Sequence, residues 1–299
     1  MRSVAPVSVP LPSVELLASL RYSLRNASRV SVLTGAGVST ESGIPDYRSP
    51  GRPPYNPIRI KDFIESFYAR RRYWARSFLG RMRIAQVQPN HTHLRVAQWE
   101  AKQERWFAGL ITQNVDGLHF AAGGHKVIEL HGSLSSTSCI ECKAKESRDA
   151  FQNRLAESNS DFKALGEHLQ KELLMRPDGD MNLLNQSGLD IDRFRIPRCL
   201  ACGARESIRP DVVFFGENVD RDLVDKCYAL VDQSDLLLVL GSSLQVFSAY
   251  RFVKFAHEKN KKICIVNVGP TRADALAHLK IEGYCSYVLQ HVDPFDSTT

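Results

Sequence analysis

Two short cysteine pairs constrain this chain more than any other feature. Cys139-x-x-Cys142 and Cys199-x-x-Cys202 each put two thiols on one tight turn, with 56 residues between Cys142 and Cys199. Two such knuckles close a single tetrahedral site. Four thiolates leave no position for water, so a zinc bound there is structural and cannot activate a nucleophile. A redox dithiol is the other chemistry open to a C-x-x-C pair. A compact zinc ribbon spaces its knuckles by about 15–20 residues, so residues 143–198 must form an inserted excursion. Cys227, Cys264 and Cys285 stand singly, which makes seven cysteines in all. An odd, unevenly spaced set argues against a disulfide framework and for a reducing compartment.

The rest of the chain alternates short apolar runs with helical patterns. Val30-Ser-Val-Leu33 reads as a buried strand running into Thr34-Gly-Ala-Gly37. Trp106 to Thr112, Val212 to Phe215, Asp235 to Leu240 and Lys262 to Val268 read as four more, bounded by Gly, Asp and Asn. Between them, Arg221 to Gln233 carries Leu223, Val224, Cys227, Leu230 and Val231 at helical spacing. Strand, crossover helix, strand is the grammar of a parallel sheet, whose ligands sit at the carboxyl ends of the strands. The expected fold is therefore α/β: a Rossmann-like parallel-sheet lobe, with a smaller lobe made of a four-cysteine zinc module and a helical insertion. The large lobe takes residues 20–50, 107–134 and 209–290, the helical part of the small lobe 51–106, and the zinc module 135–208, within one domain over 15–295.

Composition limits the function classes. At 43% hydrophobic and 24% charged over 299 residues, the chain is neither collagen-like, disordered nor a small disulfide scaffold. No uninterrupted apolar run exceeds six residues, whereas a spanning helix needs about 20, so no membrane partner is expected. The net charge of +6 equals the excess of residues 59–83 alone, where Arg59, Lys61, Arg70, Arg71, Arg72, Arg76, Arg81 and Arg83 face only Asp62 and Glu65. Such a segment reads first as a solvated helix face. No base-reading motif accompanies it, so no nucleic-acid partner is expected. Residues 1–14 hold one charge, Arg2, with frequent Ser and Pro, and Arg21, Arg25 and Arg29 follow in a helical pattern. This composition fits both a mitochondrial transit peptide and a short leader to the first helix.

The turn Gly35-Ala36-Gly37 leaves a strand and should open a helix, where backbone N–H groups can meet a diphosphate. It departs from the usual dinucleotide fingerprint, because Thr40 stands at the third glycine position. No acid follows about 20 residues on, at the end of a second strand, to hold a ribose. Alone, the turn does not distinguish a nucleotide site from a tight loop.

The wider pattern is more specific. Gly35-Ala-Gly-Val-Ser-Thr-Glu-Ser-Gly-Ile-Pro-Asp-Tyr-Arg48, Thr112-Gln-Asn-Val-Asp-Gly-Leu-His119, Glu129-Leu-His-Gly132, the cysteine pairs and Pro210-Asp-Val-Val-Phe-Phe-Gly-Glu217 occur in order. Together they resemble the sirtuins, NAD-dependent protein lysine deacylases, from about residue 20 to about residue 290. Tyr73-Trp-Ala-Arg76, Pro177-Asp-Gly-Asp180, Ser242-Ser-Leu-Gln-Val246 and Gly269-Pro-Thr-Arg272 are similar to the mitochondrial class II branch. Tyr47 stands where many members have Phe.

The resemblance implies NAD and one structural Zn2+ as cofactors, with Cys139, Cys142, Cys199 and Cys202 as the metal ligands. It implies His131 as the general base for a ribose hydroxyl, a role that suits a near-neutral imidazole, with Asn114 and Asp116 also catalytic. Gln113, Asn114, Val115 and Asp116 correspond to ribose and nicotinamide contacts. Gly35, Ala36, Gly37, Ser39, Ile44, Asp46, Tyr47, Arg48 and Tyr55 correspond to the glycine turn and cofactor loop. Gly241, Ser242, Ser243, Asn267, Val268, Gly269 and Cys285 match the adenosine side, and Val213, Phe214, Phe215 and Gly216 the strand that pairs with substrate. His93 and His119, inside helical patterns, read as structural.

The implied activity transfers the acyl group of a modified lysine to ADP-ribose and releases nicotinamide. Mono-ADP-ribosyl transfer through the same NAD site is the alternative; an intact His131, Asn114 and Asp116 argue against a module that only holds nucleotide. The Tyr-x-x-Arg pair of desuccinylases has no clear counterpart: Tyr55 and Arg59 are one residue too far apart, and Tyr68 and Arg71 lie further along than expected. Long, branched, lipoyl or biotinyl acyl groups fit the class II likeness better. The implied setting is the mitochondrial matrix, with a monomer acting on acylated protein substrates such as carboxylases among the metabolic enzymes.

Overall fold

The structure is a computed structural model that describes residues 9, 11–48, 57–169, 175–176 and 190–295. Six parallel strands form the main sheet: β1 (Val30–Thr34), β2 (Phe107–Thr112), β3 (Val127–Glu129), β7 (Leu236–Leu240), β8 (Lys262–Asn267) and β9 (Leu279–Glu282). Their order is β3-β2-β1-β7-β8-β9. The chain builds outward from β1 in one direction, returns, and builds outward from β7 in the other. That reversal leaves a crevice beyond the carboxyl ends of β1 and β7, the switch point where open α/β sheets bind ligands. An antiparallel sheet of three strands, β4 (Gly132–Cys139), β5 (Lys145–Ser147) and β6 (Ile208–Val212), has the order β5-β4-β6.

The central strands are buried on both faces, which is why β1, β2 and β7 read as largely apolar runs, with Ser31, Thr34 and Thr112 buried among them. Leu236, Leu238 and Leu240 face one layer, with Leu17, Leu20 and Leu24 of α1 (Val14–Arg25), Val96 and Trp99, and Val288 and Leu289. Leu237 and Val239 face the other layer, with Val224 and Val231, and Phe252 and Val253. Each such leucine, fully buried, contributes roughly 1.5–3 kcal/mol. A third cluster forms the small lobe's own core: Phe63, Tyr73, Trp74, Phe151 and Phe214, with Cys139 and Cys199 packed among them.

The remaining helices are α2 (Ile60–Glu65), α3 (Phe67–Ile84), α4 (His91–Lys102), α5 (Leu118–Ala121), α6 (Arg148–Ser158), α7 (Ser160–Leu169), α8 (Arg221–Asp232), α9 (Phe247–Glu258) and α10 (Cys285–His291). No helix of the described residues is long and apolar enough to cross a membrane.

Several expectations need correction. Val212 to Phe215 is not a strand of the parallel sheet. Ile208–Val212 pairs with β4 instead, so residues 208–212 continue the small sheet, and the apolar residues after them form a wall of the crevice. A short apolar run does not say which surface it lines. The edge strands β3 and β9 escaped notice because they are short and carry Glu129, Lys280 and Glu282. Within 51–106, α4 packs on the large sheet through Val96 and Trp99, not on the small lobe. The basic segment is a solvated face only in part: Arg59, Lys61 and Arg72 are exposed, and the others are not. Arg70 and Arg76 are buried, Arg70 donating to the carbonyls of Phe63 and Ile64 at the end of α2. Arg71 and Arg81 pair with Glu206 at 2.6 Å and Asp149 at 2.7 Å. These guanidinium groups fasten α3 to its neighbours.

Candidate functional site

A cleft of about 1020 Å³ opens at the switch point. The turn after β1 forms its floor. Gly35 N–H donates to Leu240 O at 3.1 Å and Gly37 N–H to Gly241 O at 2.8 Å, tying the ends of β1 and β7 together. A Cβ on Gly35 would lie 2.7 Å from the Ser242 Cβ, so no larger residue fits there without displacing the turn. The expected helix after the turn is a 3-10 segment, Ala36–Ser42, closed by Gly43 at φ +93°.

The polar residues after β2 lock to this floor. Gln113 Nε2 donates to Ser242 Oγ at 2.8 Å and to Thr34 O at 3.1 Å. Asn114 Nδ2 donates to Gly35 O and to Ser39 Oγ, both at 3.1 Å. Ser39 Oγ donates to the Asp116 carboxylate at 2.7 Å, which also accepts Leu118 N–H at 3.0 Å. Burial raises the Asp116 pKa, opposed by those two donors. Glu129, two residues before His131, is pushed up to about 7 by burial, with the Ser133 hydroxyl opposing and Asp116 adding to the rise.

His131 lies where the large sheet hands over to the small one, just before β4. Its Nδ1 is 3.1 Å from Gln113 O and its Nε2 is 2.8 Å from Ser248 Oγ. Burial lowers the ring's pKa, opposed by the Gln113 carbonyl, so the imidazole is neutral at pH 7. Its carbonyl accepts Val213 N–H at 2.8 Å, which sets the wall Val213–Gly216 beside it. Phe215 O accepts Ile60 N–H at 3.0 Å, and the Tyr47 ring meets the Phe215 ring edge-on at 6.5 Å.

The cleft thus gathers Ala36, Gly37, Ser39, Ile44, Asp46, Tyr47 and Arg48 from one side, and Gln113, Asn114, Val115, Asp116 and His131 from below. Val213 to Gly216, Gly241 to Ser243 and Asn267 to Gly269 complete the rim. Two expected residues stand apart. Gly35 supports the floor without lining it, and Cys285 is buried beneath, its thiol on Val266 O at 3.6 Å. Tyr55, Pro177 to Asp180 and most of the leader 1–14 lie outside the described residues. Tyr68 is exposed and Arg71 is committed to Glu206; neither lines the cleft. His93 and His119 are buried, their rings 4.8 Å apart behind Ser39 and Thr34.

Sequence reasoning missed Ser248 and Arg251, which line the cleft from α9. No residue-type signal marks them; only the packing of α9 against His131 does.

The cysteine pairs converge although 56 residues separate them. All four Sγ atoms lie within 4.8 Å of one another, with Cys139 and Cys202 at 3.8 Å and Cys142 and Cys199 at 3.6 Å. Thiolates on one tetrahedral zinc at 2.3 Å would be about 3.8 Å apart, so the four fit one structural zinc. The two knuckles share one backbone shape. Cys139 N–H donates to Ala144 O and Cys199 N–H to Ala204 O, both at 2.9 Å, while Lys143 and Gly203 take the same left-handed position at φ +63° and +74°.

Comparison with known proteins agrees with this architecture. The Sir2 family model matches residues 35–248. The human NAD-dependent protein lipoamidase sirtuin-4, mitochondrial, is 41% identical over 294 residues, 97% of this chain and 89% of that protein. The Caenorhabditis elegans NAD-dependent protein deacylase sir-2.2 is 45% identical over 271 residues, 88% of this chain and 90% of that one. The solved structure described as "Sir2-p53 peptide-NAD+" superposes with a TM-score of 0.71 at 29% identity, covering 92% of this chain and 95% of that chain. The chain belongs to the Sir2 family.

Proposed function

We propose that the protein is an NAD-dependent protein lysine deacylase that moves a long or branched acyl group, lipoyl or biotinyl among them, from lysine to ADP-ribose with release of nicotinamide. The observation that carries this reading is the meeting of His131, Asn114 and Asp116 in one cleft at the switch point, beside the wall Val213–Gly216. Membership of the Sir2 family supports the reaction class.

The cleft suits NAD in the chemistry of its groups. Gly37 offers an approach unobstructed by a side chain, Gln113, Ser242 and Asn267 offer amides and a hydroxyl to sugars, and Ile44 and Val213 offer apolar surface. NAD, when bound, supplies the glycosidic bond that is broken. Ala36, Gly37 and Ser39 would hold the diphosphate, and Gly241, Ser242 and Asn267 the adenosine side. Asp46, Tyr47 and Arg48 line the same side of the cleft and would face the bound cofactor. Asn114 and Asp116, locked through Ser39, keep the ribose end in register. His131 takes a proton from a ribose hydroxyl at Nε2, and its buried, neutral ring is the form able to accept it.

The acyl-lysine peptide would enter as an added strand between Val213–Gly216 and the segment after Ser243, bound through main-chain bonds that read little sequence. The lipoamidase name of the human relative favours a bulky acyl group, and the commitment of Arg71 to Glu206 disfavours a carboxylate-bearing one. That relative's mitochondrial name and the acid-poor N-terminal composition support action in mitochondria. The proposed setting is the matrix, where a monomer acts on acylated metabolic enzymes such as carboxylases.

The test is a panel of acyl-lysine peptides with NAD, read by mass spectrometry. Free lysine with O-acyl-ADP-ribose is expected, fastest for lipoyl or biotinyl chains. ADP-ribose added to the target would instead indicate transfer to protein, and fastest turnover of acetyl would overturn the acyl assignment. Imaging the full chain against one lacking residues 1–14 tests location; an unchanged cytosolic or nuclear signal in both would count against it.

A further inference from the structure

His131 is held from both sides of its ring. Gln113 O, 3.1 Å from Nδ1, can only accept, so the ring proton sits on Nδ1. Nε2 then presents a lone pair, and Ser248 Oγ, 2.8 Å away, donates to it. Ser248 is the second residue of α9, where a serine hydroxyl commonly bonds its own backbone. Here it reaches across 117 residues of sequence to His131 instead.

We propose that Ser248 is a positioning residue for His131, holding in place the ring whose tautomer Gln113 sets and releasing the Nε2 lone pair when a ribose hydroxyl arrives. Its consequence for turnover rests on the deacylase reading; the contact and its effect on His131 titration do not. With a ribose hydroxyl in place, Nε2 would accept its proton, and the electron pair of the O–H bond would stay on the ribose oxygen. His131 becomes an imidazolium whose Nδ1–H still rests on Gln113 O. Nε2 can then accept no bond, so the Ser248 hydroxyl turns away and its oxygen becomes an acceptor for the new N–H.

Other ionisable groups surround this corner: Asp46 and Arg48 in the cofactor loop, Asp116 after β2, Glu129 on β3, Glu217 after β6 and Arg251 one turn along α9. Replacing Ser248 leaves all of them in place, so a change in His131 titration reports the lost hydroxyl.

The experiment uses the full chain with 13C,15N-labelled histidine, without NAD, in Ser248→Ala and Ser248→Thr variants. The His131 signal is identified by its loss in His131→Tyr. Ser248→Ala should lower the His131 pKa by about half to one unit, because the charge-assisted bond that the hydroxyl accepts from the imidazolium is stronger than the one it donates to the neutral ring. The acid limb of net deacylation of an acyl-lysine peptide should move down by the same amount, and Ser248→Thr should restore both. An unchanged His131 pKa in a folded Ser248→Ala protein would overturn the proposal, as would failure of Thr to restore it. If the titration moves as expected but the wild-type chain turns over no acyl-lysine peptide, the function proposed above fails and the role of Ser248 stands.

Discussion

The amide of Gly37 donates to the carbonyl of Gly241 at 2.8 Å, and this bond joins the ends of the two strands from which the main sheet builds in opposite directions. The approach is so close that a Cβ on Gly37 would stand 2.7 Å from that same oxygen. Both partners are backbone, so neither can rotate away. Gly37→Ala should therefore separate the strand ends, lowering the melting temperature and weakening NAD binding together. Calorimetry and NAD titration check this; an alanine variant with unchanged melting and affinity would show that the contact is not needed.

His131→Tyr should leave NAD and peptide binding largely intact while net deacylation falls by roughly 10²–10⁴-fold, the usual worth of a general base. Nicotinamide exchange precedes the base-dependent step and should fall less. Near wild-type deacylation, or a loss of NAD affinity in proportion to rate, would make the residue structural.

The zinc module should act on stability and not on the reaction. Cys139 and Cys199 belong to the small lobe's core, so chelation or Cys142→Ser should lower the melting temperature, because binding energy at a closed site is folding energy. Gly203→Ala, which puts a Cβ at φ +74°, should cost roughly 1–2 kcal/mol and leave metal content unchanged. A metal-free protein with unaltered melting and turnover would refute the structural role.

Acid should find the buried histidines. Burial pushes the His93 ring down to about 4 and holds His119 well below its ordinary value. Well above pH 6.5 both rings are neutral folded or unfolded, and they contribute nothing to the pH dependence. As pH falls from 6.5 towards 4, the unfolded chain takes up protons that the folded one refuses, so stability declines. Raised carboxylates such as Glu129 act with the opposite sign over part of that range, so the test is a difference. Relative to His93→Gln, the wild type should lose about 3 kcal/mol between pH 6.5 and 4. A difference in unfolding free energy that stays flat with pH would contradict this assignment.

The sequence by itself determined the class of sheet, the metal ligands and most of the cleft. Strands buried on both faces read as largely apolar runs, a glycine turn at the end of β1 must permit close approach, and cysteine pairs at this spacing have few other uses. These are local demands, and they leave local marks. Tertiary structure decided what local marks cannot carry. Val213–Phe215 became a cleft wall because β6 paired with β4 and stopped at Val212. Arg70 went inside because the Phe63 and Ile64 carbonyls could receive its guanidinium. Ser248 met His131 only because α9 packs across the end of the sheet. A hydroxyl or guanidinium has the same letter in solvent as in a site; its partner, distant in sequence, assigns its role.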